Sequence, residues 1–187
     1  MNILGINGSG RGGGNTAVLI DAILAGAVGA GAATDRFDLA GWTLHGCTAC
    51  KACKDTRRCV IDDDMRRFYA VAATTDVLVL GTPIYLDHVT AQFMAFIQRT
   101  YCYLGRRLEN HYPNPRTRIV TAITYGAGDP NAYDGVAAWI RDRMKGYYGL
   151  ETIEAFTLPA ARHDDIVGED HPEIRRALAF GKALAEG

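Results

Sequence analysis

The chain has 187 residues, of which 48% are hydrophobic and 22% are charged, and its formal net charge is −1. Such a length and composition predict one compact domain over residues 1–187. The near-zero charge and the scattered basic residues argue against nucleic-acid and anionic-membrane partners. No apolar stretch reaches the roughly 18 residues of a membrane span, and the first residues lack the basic segment of a signal peptide. We therefore expect a cytoplasmic protein.

Short β-rich runs alternate with longer helical patterns along the chain, as in βαβ units with a parallel sheet. The β-rich runs predict strands at residues 2–7, 33–38, 76–81, 118–124 and 150–157. The helical patterns cover residues 16–27, 63–73, 90–101, 133–148 and 172–185. Five strands, each followed by a helix, predict an α/β fold with a three-layer, doubly wound parallel sheet.

The first strand leads into a loop rich in glycine and polar residues, with the sequence Asn7-Gly8-Ser9-Gly10-Arg11-Gly12-Gly13-Gly14-Asn15-Thr16. Ligands of open α/β sheets bind at the carboxyl ends of the strands, and a helix N-terminus attracts phosphate through its amides and its dipole. We therefore predict a phosphate cradle at this loop. Its predicted contacts are Ser9, Arg11, Gly13, Asn15 and Thr16.

Two better-known glycine loops compete with this interpretation. The spacing Gly8-x-Gly10-x2-Gly13, with Asp35 farther on, matches the dinucleotide fingerprint, but a single match of this kind is weak. The nucleotide P-loop is excluded because no lysine follows the glycines. A plain turn would not need so many polar side chains. A hydroxyl and an amide at the helix start favour a terminal phosphate.

Four of the five cysteines lie in the run Cys47-x2-Cys50-x2-Cys53-x5-Cys59, which predicts a cysteine-rich loop at residues 45–62. Cysteines spaced by two resemble the bacterial ferredoxin run, whereas a zinc site would show a second separated pair. The spacing favours a 4Fe-4S cluster with these four cysteines as ligands; reduced free thiols and zinc stay open as alternatives. The isolated Cys102 is expected to be a small buried residue.

Two further loops follow neighbouring strands at the same predicted edge of the sheet. The segment 81–87 contains Pro83, which fixes its own φ, so we expect the amides of Ile84 and Tyr85 to point outward toward a flat ring. The segment 124–130 combines an aromatic residue with small ones. Together with the phosphate cradle they predict one pocket for a phosphorylated planar molecule. The predicted ring contacts are Pro83, Ile84, Tyr85, Leu86, Thr124, Tyr125 and Gly126.

These motifs resemble those of the flavodoxin-fold NAD(P)H-dependent FMN reductases, and within that superfamily those of the iron-sulfur flavoproteins. The resemblance covers nearly the whole chain. It rests on three groups of residues: Gly8–Arg11 with Asn15-Thr16; the cysteine run with Asp62-Asp63-Asp64-Met65; and Thr82-Pro83-Ile84-Tyr85 with Val89–Gln92 and Phe96–Arg99. It implies the strand order 2-1-3-4-5, with FMN at the carboxyl edge, its phosphate on the first loop and its isoalloxazine on the other two. It also implies a homodimer or homotetramer.

The chain departs from the family pattern at two places. Gly10 and Gly12 stand where the family often has proline or lysine, and residues 91–94 lack a common lysine. We expect an oxidoreductase in which FMN takes electrons from NAD(P)H or a reduced carrier and passes them through the cluster to a small-molecule or protein acceptor. No protein acid or base is needed. The alternatives are a cluster-free FMN, quinone or azo-compound reductase, and a non-enzymatic electron carrier or redox sensor.

Overall fold

The computed structural model describes residues 1–162 and 164–187. Its six strands are β1 (Asn2–Asn7), β2 (Ala33–Asp38), β3 (Val77–Tyr85), β4 (His88–Val89), β5 (Arg118–Thr124) and β6 (Thr152–Leu158). Five of them run parallel in the order β2-β1-β3-β5-β6, and the two-residue β4 pairs antiparallel with the end of β3. Leaving β4 aside, this is the predicted order 2-1-3-4-5, which is thereby confirmed.

Helices cover both faces of the sheet. They are α1 (Asn15–Gly29), α2 (Cys53–Thr56), α3 (Met65–Val71), α4 (Ala91–Arg99), α5 (Asp134–Tyr148) and α6 (Pro172–Glu186). One apolar core joins the sheet to α1 and α6, and a second joins it to α3, α4 and α5. The helices after the first and the last long strand thus lie on one face and α3, α4 and α5 lie on the other, and the predicted doubly wound arrangement is confirmed. Among the described residues no helix is long and apolar enough to cross a membrane.

The centre of the sheet explains why the third strand is apolar on both sides. Val77 and Val79 face the core with α1 and α6, whereas Leu78 and Leu80 face the other core. All four side chains are at most 2% exposed. Successive side chains of a strand point to opposite faces, so a strand covered by helices on both sides needs apolar residues at every position.

Two glycines let α1 and α6 pack in direct backbone contact. A Cβ atom on Gly26 would lie 2.0 Å from the carbonyl oxygen of Leu178, and one on Gly181 would lie 1.9 Å from that of Ile23. Real Cβ atoms do not approach carbonyl oxygens so closely, so any larger residue would push the helices apart. This close contact fixes α6 against α1, the helix that follows the first loop.

The structure corrects the end of the third predicted strand. Residues 81–87 were expected to form a loop, but β3 continues to Tyr85. Thr82 and Pro83 stay paired with Ile123 and Thr124 of β5, and the last two residues of β3 pair with β4. Pro83 lacks only the backbone N–H that another residue would contribute to strand pairing. Parallel pairing with β5 and the antiparallel hairpin with β4 keep the other residues of this segment in the strand.

The helix boundaries also differ from the prediction. The helix expected over 63–73 covers only Met65–Val71. It begins at Met65 because Asp63, which lies before the helix, accepts a hydrogen bond from the Met65 N–H with its carboxylate. The helix expected over 90–101 is α4, which Thr90 caps by accepting from the Phe93 N–H, and its last turn tightens into a 3₁₀ turn at Thr100–Tyr103. The short helix α2, inside the cysteine-rich loop, was not predicted.

Candidate functional site

The loop between β1 and α1 is organised by its own side chains. The Ser9 N–H donates to the side-chain oxygen of Asn7 over 3.1 Å, and the Arg11 N–H donates to the Ser9 hydroxyl over 3.1 Å. Gly14 occupies the N-cap of α1 and has no side chain with which to satisfy the first helical amides. A helix start without a side-chain cap presents its N–H groups and its positive dipole to an anion.

Neighbouring elements hold this loop in place from two sides. On the β2 side, one guanidinium nitrogen of Arg36 donates to the carbonyl of Gly12 and to the carboxylate of Asp38, both over 3.0 Å. On the β3 side, the Gly8 N–H donates to the carbonyl of Gly81 over 2.8 Å, and the Thr90 hydroxyl donates to the carbonyl of Gly8 over 2.6 Å. The loop is therefore preformed by protein contacts at both of its ends.

The predicted phosphate contacts differ in how they are presented. Ser9 is 2% exposed, and Arg11 is half-buried beside Gly14, whose hypothetical Cβ would lie 3.3 Å from the Arg11 Nε. Gly13 is exposed, with open space around it. The guanidinium of Arg11 thus lies at the start of α1, where a phosphate would be held.

Asn15 and Thr16 are committed to the protein itself. The Asn15 amide donates to the carbonyl of Asp165 over 2.9 Å and accepts from the Val167 N–H over 3.0 Å. The Thr16 hydroxyl shares a 2.8 Å hydrogen bond with the Thr124 hydroxyl at the end of β5. Both side chains tie the start of α1 to other segments, so their direct contact with a ligand stays a prediction.

A tight hairpin follows β3 at the same edge of the sheet. Leu86 and Asp87 form its two-residue turn with φ of 47° and 62°, and the flanking residues Tyr85 and His88 pair across it. Two successive residues with positive φ are typical of a type I′ turn, which glycine or asparagine usually occupies. Leu86 is fully exposed at the tip, and the Asp87 carboxylate accepts a 2.8 Å hydrogen bond from the Tyr133 hydroxyl.

The aromatic residue of the loop after β5, Tyr125, is buried within the protein and does not present an open face to a ligand. Tyr125 is 4% exposed, its hydroxyl donates to the carbonyl of Pro130 over 2.6 Å, and its ring packs edge-on against Tyr133 at 4.9 Å. Burial raises the pKa of Tyr125, with a smaller contribution from nearby acids. Thr124 is buried beneath this loop and Gly126 is exposed above it.

The strand register brings the three loops together. Asn7 at the end of β1 lies opposite Gly81 of β3, and Pro83 lies opposite Thr124 at the end of β5. The predicted phosphate loop, the hairpin and the β5 loop therefore stand side by side at one carboxyl edge. The contact of each individual residue with a ligand stays a prediction.

The cysteine-rich loop is closed at its base by buried charges. The Asp63 carboxylate receives both terminal guanidinium nitrogens of Arg99, over 2.5 and 3.0 Å, and the His45 N–H over 3.1 Å. The side chains of Arg99 and Asp63 are both 0% exposed. Burial alone would raise the pKa of Asp63, but the hydrogen bonds from Arg99 and His45 outweigh it, so the pKa is lowered. One step farther out, the Asp64 N–H donates to the carbonyl of Thr43 and the Asp64 carboxylate accepts from the Thr43 N–H, which closes the loop.

Within the loop, the backbone turns sharply between the cysteines. Ala49 and Lys51, on either side of Cys50, have φ of 55° and 63°. Non-glycine residues adopt this left-handed region at a cost of about 1–2 kcal/mol each, and such strain concentrates at functional sites. Cys53 then begins α2, which ends at the left-handed Arg57.

The four cysteines of the run differ in exposure. Cys47 and Cys50 are exposed, Cys59 is half-buried and Cys53 is 8% exposed. Burial raises the pKa of Cys53, Lys54 opposes it, and the thiols of Cys59, Cys47 and Cys50 raise it further. Across residues 1–162 and 164–187, however, no three or more metal-binding side chains converge as a metal site.

Sequence reasoning missed a buried lysine beside this cluster of thiols. Lys54 is 5% exposed; its ammonium donates to the carbonyls of Tyr101 and Leu104 over 3.0 and 2.7 Å and lies 3.2 Å from the centre of the Tyr101 ring. Lysine is almost never fully buried without such partners, and no sequence signal distinguishes it. Cys102 is 2% exposed, which confirms the expected burial, and burial raises its pKa to about 12.

Comparison with known proteins identifies the family of this chain. The family model for NADPH-dependent FMN reductase matches residues 1–140. An iron-sulfur flavoprotein from Archaeoglobus fulgidus is 32% identical over 188 residues, covering 100% of this chain and 80% of that protein. One from Methanosarcina thermophila is 37% identical over 100 residues, covering 54% of this chain and 52% of that protein. With the latter, the match thus spans about half the relative's length.

Solved structures agree on the fold. An NAD(P)H:quinone oxidoreductase from Methanothermobacter marburgensis superposes with a TM-score of 0.74 at 14% identity, covering 98% of this chain and 96% of that one. A flavone reductase superposes with a TM-score of 0.73 at 20% identity, covering 100% of this chain and 62% of that one. The sheet order is that of a flavodoxin-like α/β fold. The chain belongs to the NADPH-dependent FMN reductase family, and FMN is its cofactor.

We expect Asp63→Asn to destabilise the protein by about 3 kcal/mol, because removing one partner of a buried ion pair leaves the other charge uncompensated. The change is measured by urea unfolding followed by circular dichroism. Arg66→Gln is the matched control, because its 2.8 Å pair with Asp62 is exposed at 61% and 77% and is worth at most about 1 kcal/mol.

The contribution of Asp63 to the free energy of unfolding should depend on pH with a defined sign. Since the folded-state pKa of Asp63 is lowered, its contribution is fully present above the unfolded pKa of about 4 and is lost as pH falls through the folded pKa. The stability gap between the wild type and Asp63→Asn should therefore be constant near neutral pH and narrow below about pH 4. A gap that widens in acid would contradict a lowered pKa at Asp63.

Proposed function

We propose that the protein is an FMN-dependent oxidoreductase that takes electrons from NAD(P)H or a reduced carrier and passes them to an acceptor through its cysteine-rich loop. The observation that carries the proposal is the preformed glycine loop at the uncapped start of α1, side by side with the hairpin and the Tyr125 loop at one sheet edge. A phosphate-bearing planar cofactor suits this edge, since one end offers amides and the other offers rigid walls.

At the phosphate end, the chain supplies amides, a hydroxyl and a cation. The N–H groups at the start of α1 follow Gly14, the Ser9 hydroxyl lies in the loop and the Arg11 guanidinium lies against Gly14. These donors fit the oxygen atoms of a terminal phosphate monoester. The tether from Arg36 to Gly12 and the hydrogen bond from Thr90 to Gly8 hold them in position before a ligand arrives.

At the ring end, the chain supplies a stiff wall. The hairpin at Leu86-Asp87 is anchored by Asp87 to Tyr133, which packs against the buried Tyr125. Pro83 and Ile84 are half-buried next to it, and Tyr85 is 51% exposed. Apolar and aromatic side chains here would cover a flat ring and exclude water from it. The chemistry supplied by a bound FMN is hydride acceptance and electron release in single steps.

At the cysteine-rich loop, the residues fit an iron-sulfur cluster by chemistry. The charges of Cys47, Cys50 and Cys59 all act on the pKa of Cys53, and the left-handed Ala49 and Lys51 turn the backbone sharply on either side of Cys50. Thiolates are the ligands of 4Fe-4S clusters. Lys54 adds a buried positive charge, which favours thiolates over thiols.

A cluster-free NAD(P)H-dependent FMN or quinone reductase is the second candidate. Cys47 and Cys50 are exposed, and the described thiols do not converge on one point as ligands of a metal. In that case the loop is a surface feature and the flavin exchanges electrons directly with its substrates. A carrier or redox sensor without turnover is the third reading, and steady-state oxidation of NAD(P)H separates it from both enzymes.

We further propose that the protein forms a homodimer or homotetramer. An apolar groove of about 330 Å³ runs between α4 and α5 and includes Met94, Ile97 and Trp139. Leu108 and Tyr147 in its lining are 50% and 39% exposed. Tyr103, Tyr112 and Tyr148, by contrast, are buried and belong to the core of the subunit.

We expect Arg11→Gln to weaken FMN binding about tenfold, because the variant loses a charge-assisted hydrogen bond to the phosphate. Quenching of FMN fluorescence during titration of apoprotein measures the dissociation constant. Arg118→Gln serves as the control, since Arg118 begins β5 at the opposite edge of the sheet and should leave the constant unchanged. Equal affinity of wild type and Arg11→Gln would place the phosphate elsewhere.

For the cysteine loop, we expect about four irons per chain in protein purified without oxygen, with matching acid-labile sulfide. Cys59→Ser should lose most of this iron, because a ligand is removed, while Cys102→Ser should keep it. Iron retained in Cys59→Ser, or flavin without iron in the wild type, would favour the cluster-free reductase.

A further inference from the structure

A second cavity, of about 600 Å³, lies between the cysteine-rich loop and α3. This volume falls within the range of small-molecule binding sites. Its lining residues belong to none of the three loops at the carboxyl edge of the sheet, so it is separate from the predicted flavin pocket. Its polar and sulfur-bearing lining residues are Arg57, Arg58, Cys59, Arg66, Tyr69 and Tyr103.

The cavity has an excess of positive charge. Three of its lining residues are arginines, and none is an acid. Arg66 pairs with Asp62, but that pair is open to solvent and weakly held. Glu109 is the other nearby acid: backbone hydrogen bonds lower its pKa most, and the charge of Arg57 lowers it further. Both acids are exposed, so they screen the cavity only partly.

Two donors at this cavity lack a protein acceptor. Among the described residues, one terminal nitrogen of Arg57 and the hydroxyl of Tyr103 are buried without a hydrogen-bond partner. The Tyr103 side chain is 7% exposed. Leaving a buried donor unsatisfied costs about 1–3 kcal/mol, so such groups are usually paired. Tyr69, by contrast, already donates to the carbonyl of Arg99 over 2.9 Å. The unpaired donors indicate a ligand rich in acceptors.

We propose that this cavity binds a small polyanion bearing phosphate or carboxylate groups. Arg57, Arg58 and Arg66 supply the positive charge, and the Tyr103 hydroxyl donates to one of the ligand's oxygen atoms. Arginine is suited to this task, because its planar fork of donors matches both carboxylate and phosphate. The site adjoins Cys59, so its ligand contacts the cysteine-rich loop. The binding claim does not depend on the proposed electron relay.

The test is isothermal titration calorimetry on FMN-saturated protein, in which flavin occupies the phosphate loop. Inorganic pyrophosphate probes for phosphate ligands and citrate for carboxylate ligands. We expect one of them to bind at one site per chain, with affinity that falls as salt rises. The double variant Arg57→Gln/Arg58→Gln should weaken binding at least tenfold, and Tyr103→Phe should weaken it about fivefold.

The matched control is Arg141→Gln/Arg175→Gln, which removes the same charge from residues outside the cavity and should change affinity less than twofold. Near-ultraviolet circular dichroism checks that each variant is folded, and Tyr103→Phe keeps the test valid if the double variant is not. No binding of either probe to the wild type would overturn the proposal. So would undiminished binding in both cavity variants, or an equal loss in the control.

Discussion

The parallel register of β1, β3 and β5 is the constraint on which the site depends. It places Asn7 opposite Gly81 and Pro83 opposite Thr124, so that three loops distant in sequence end at one edge. Hydrogen bonds then extend the register into the loops: the Gly8 N–H reaches the carbonyl of Gly81, and Thr16 at the start of α1 bonds to Thr124. A shift of one residue would turn every side chain to the other face and dismantle the pocket.

Helix α4 connects this pocket with the cysteine-rich loop. At its start, Thr90 caps the helix and donates to Gly8 of the phosphate loop. At its end, Arg99 holds Asp63 and the carbonyl of His45 at the base of the cysteine-rich loop. Nine helical residues span about 13 Å. A buried ion pair is a weak source of net stability, but it fixes geometry strictly, because breaking it is costly. Hydrogen bonds thus connect the two candidate cofactor sites to the two ends of one short helix, α4.

Much of the fold was predictable because it rests on local patterns. Alternating apolar residues with glycine-rich ends gave four of the five long strands within two residues of their observed ends, and the flanking helices followed from their 3.6-residue period. The end of β3 was not predictable, because Pro83 reads as a breaker, and because Leu86 and Asp87 take positive φ without the glycine or asparagine that would signal it.

The site was predictable in type but not in detail. Glycines, a cation and hydroxyls after β1 indicate a phosphate loop, yet only the tertiary structure shows that Asn15 is bonded to residues about 150 positions away. The same holds for the Arg99–Asp63 pair and for the burial of Lys54, which join segments 36 and 50 positions apart. Sequence shows which donors exist. Folding decides which of them remain available to a ligand.

The measurement that tests the central claim most directly is the absorption spectrum of protein incubated with FMN and freed of excess flavin, recorded without oxygen before and after adding NADPH or NADH. One tightly bound FMN per chain, with flavin bands that bleach on adding a pyridine nucleotide, is the predicted result. Failure to retain FMN, or bound FMN that stays oxidised with both nucleotides and with a reduced ferredoxin, would contradict a flavin-dependent oxidoreductase.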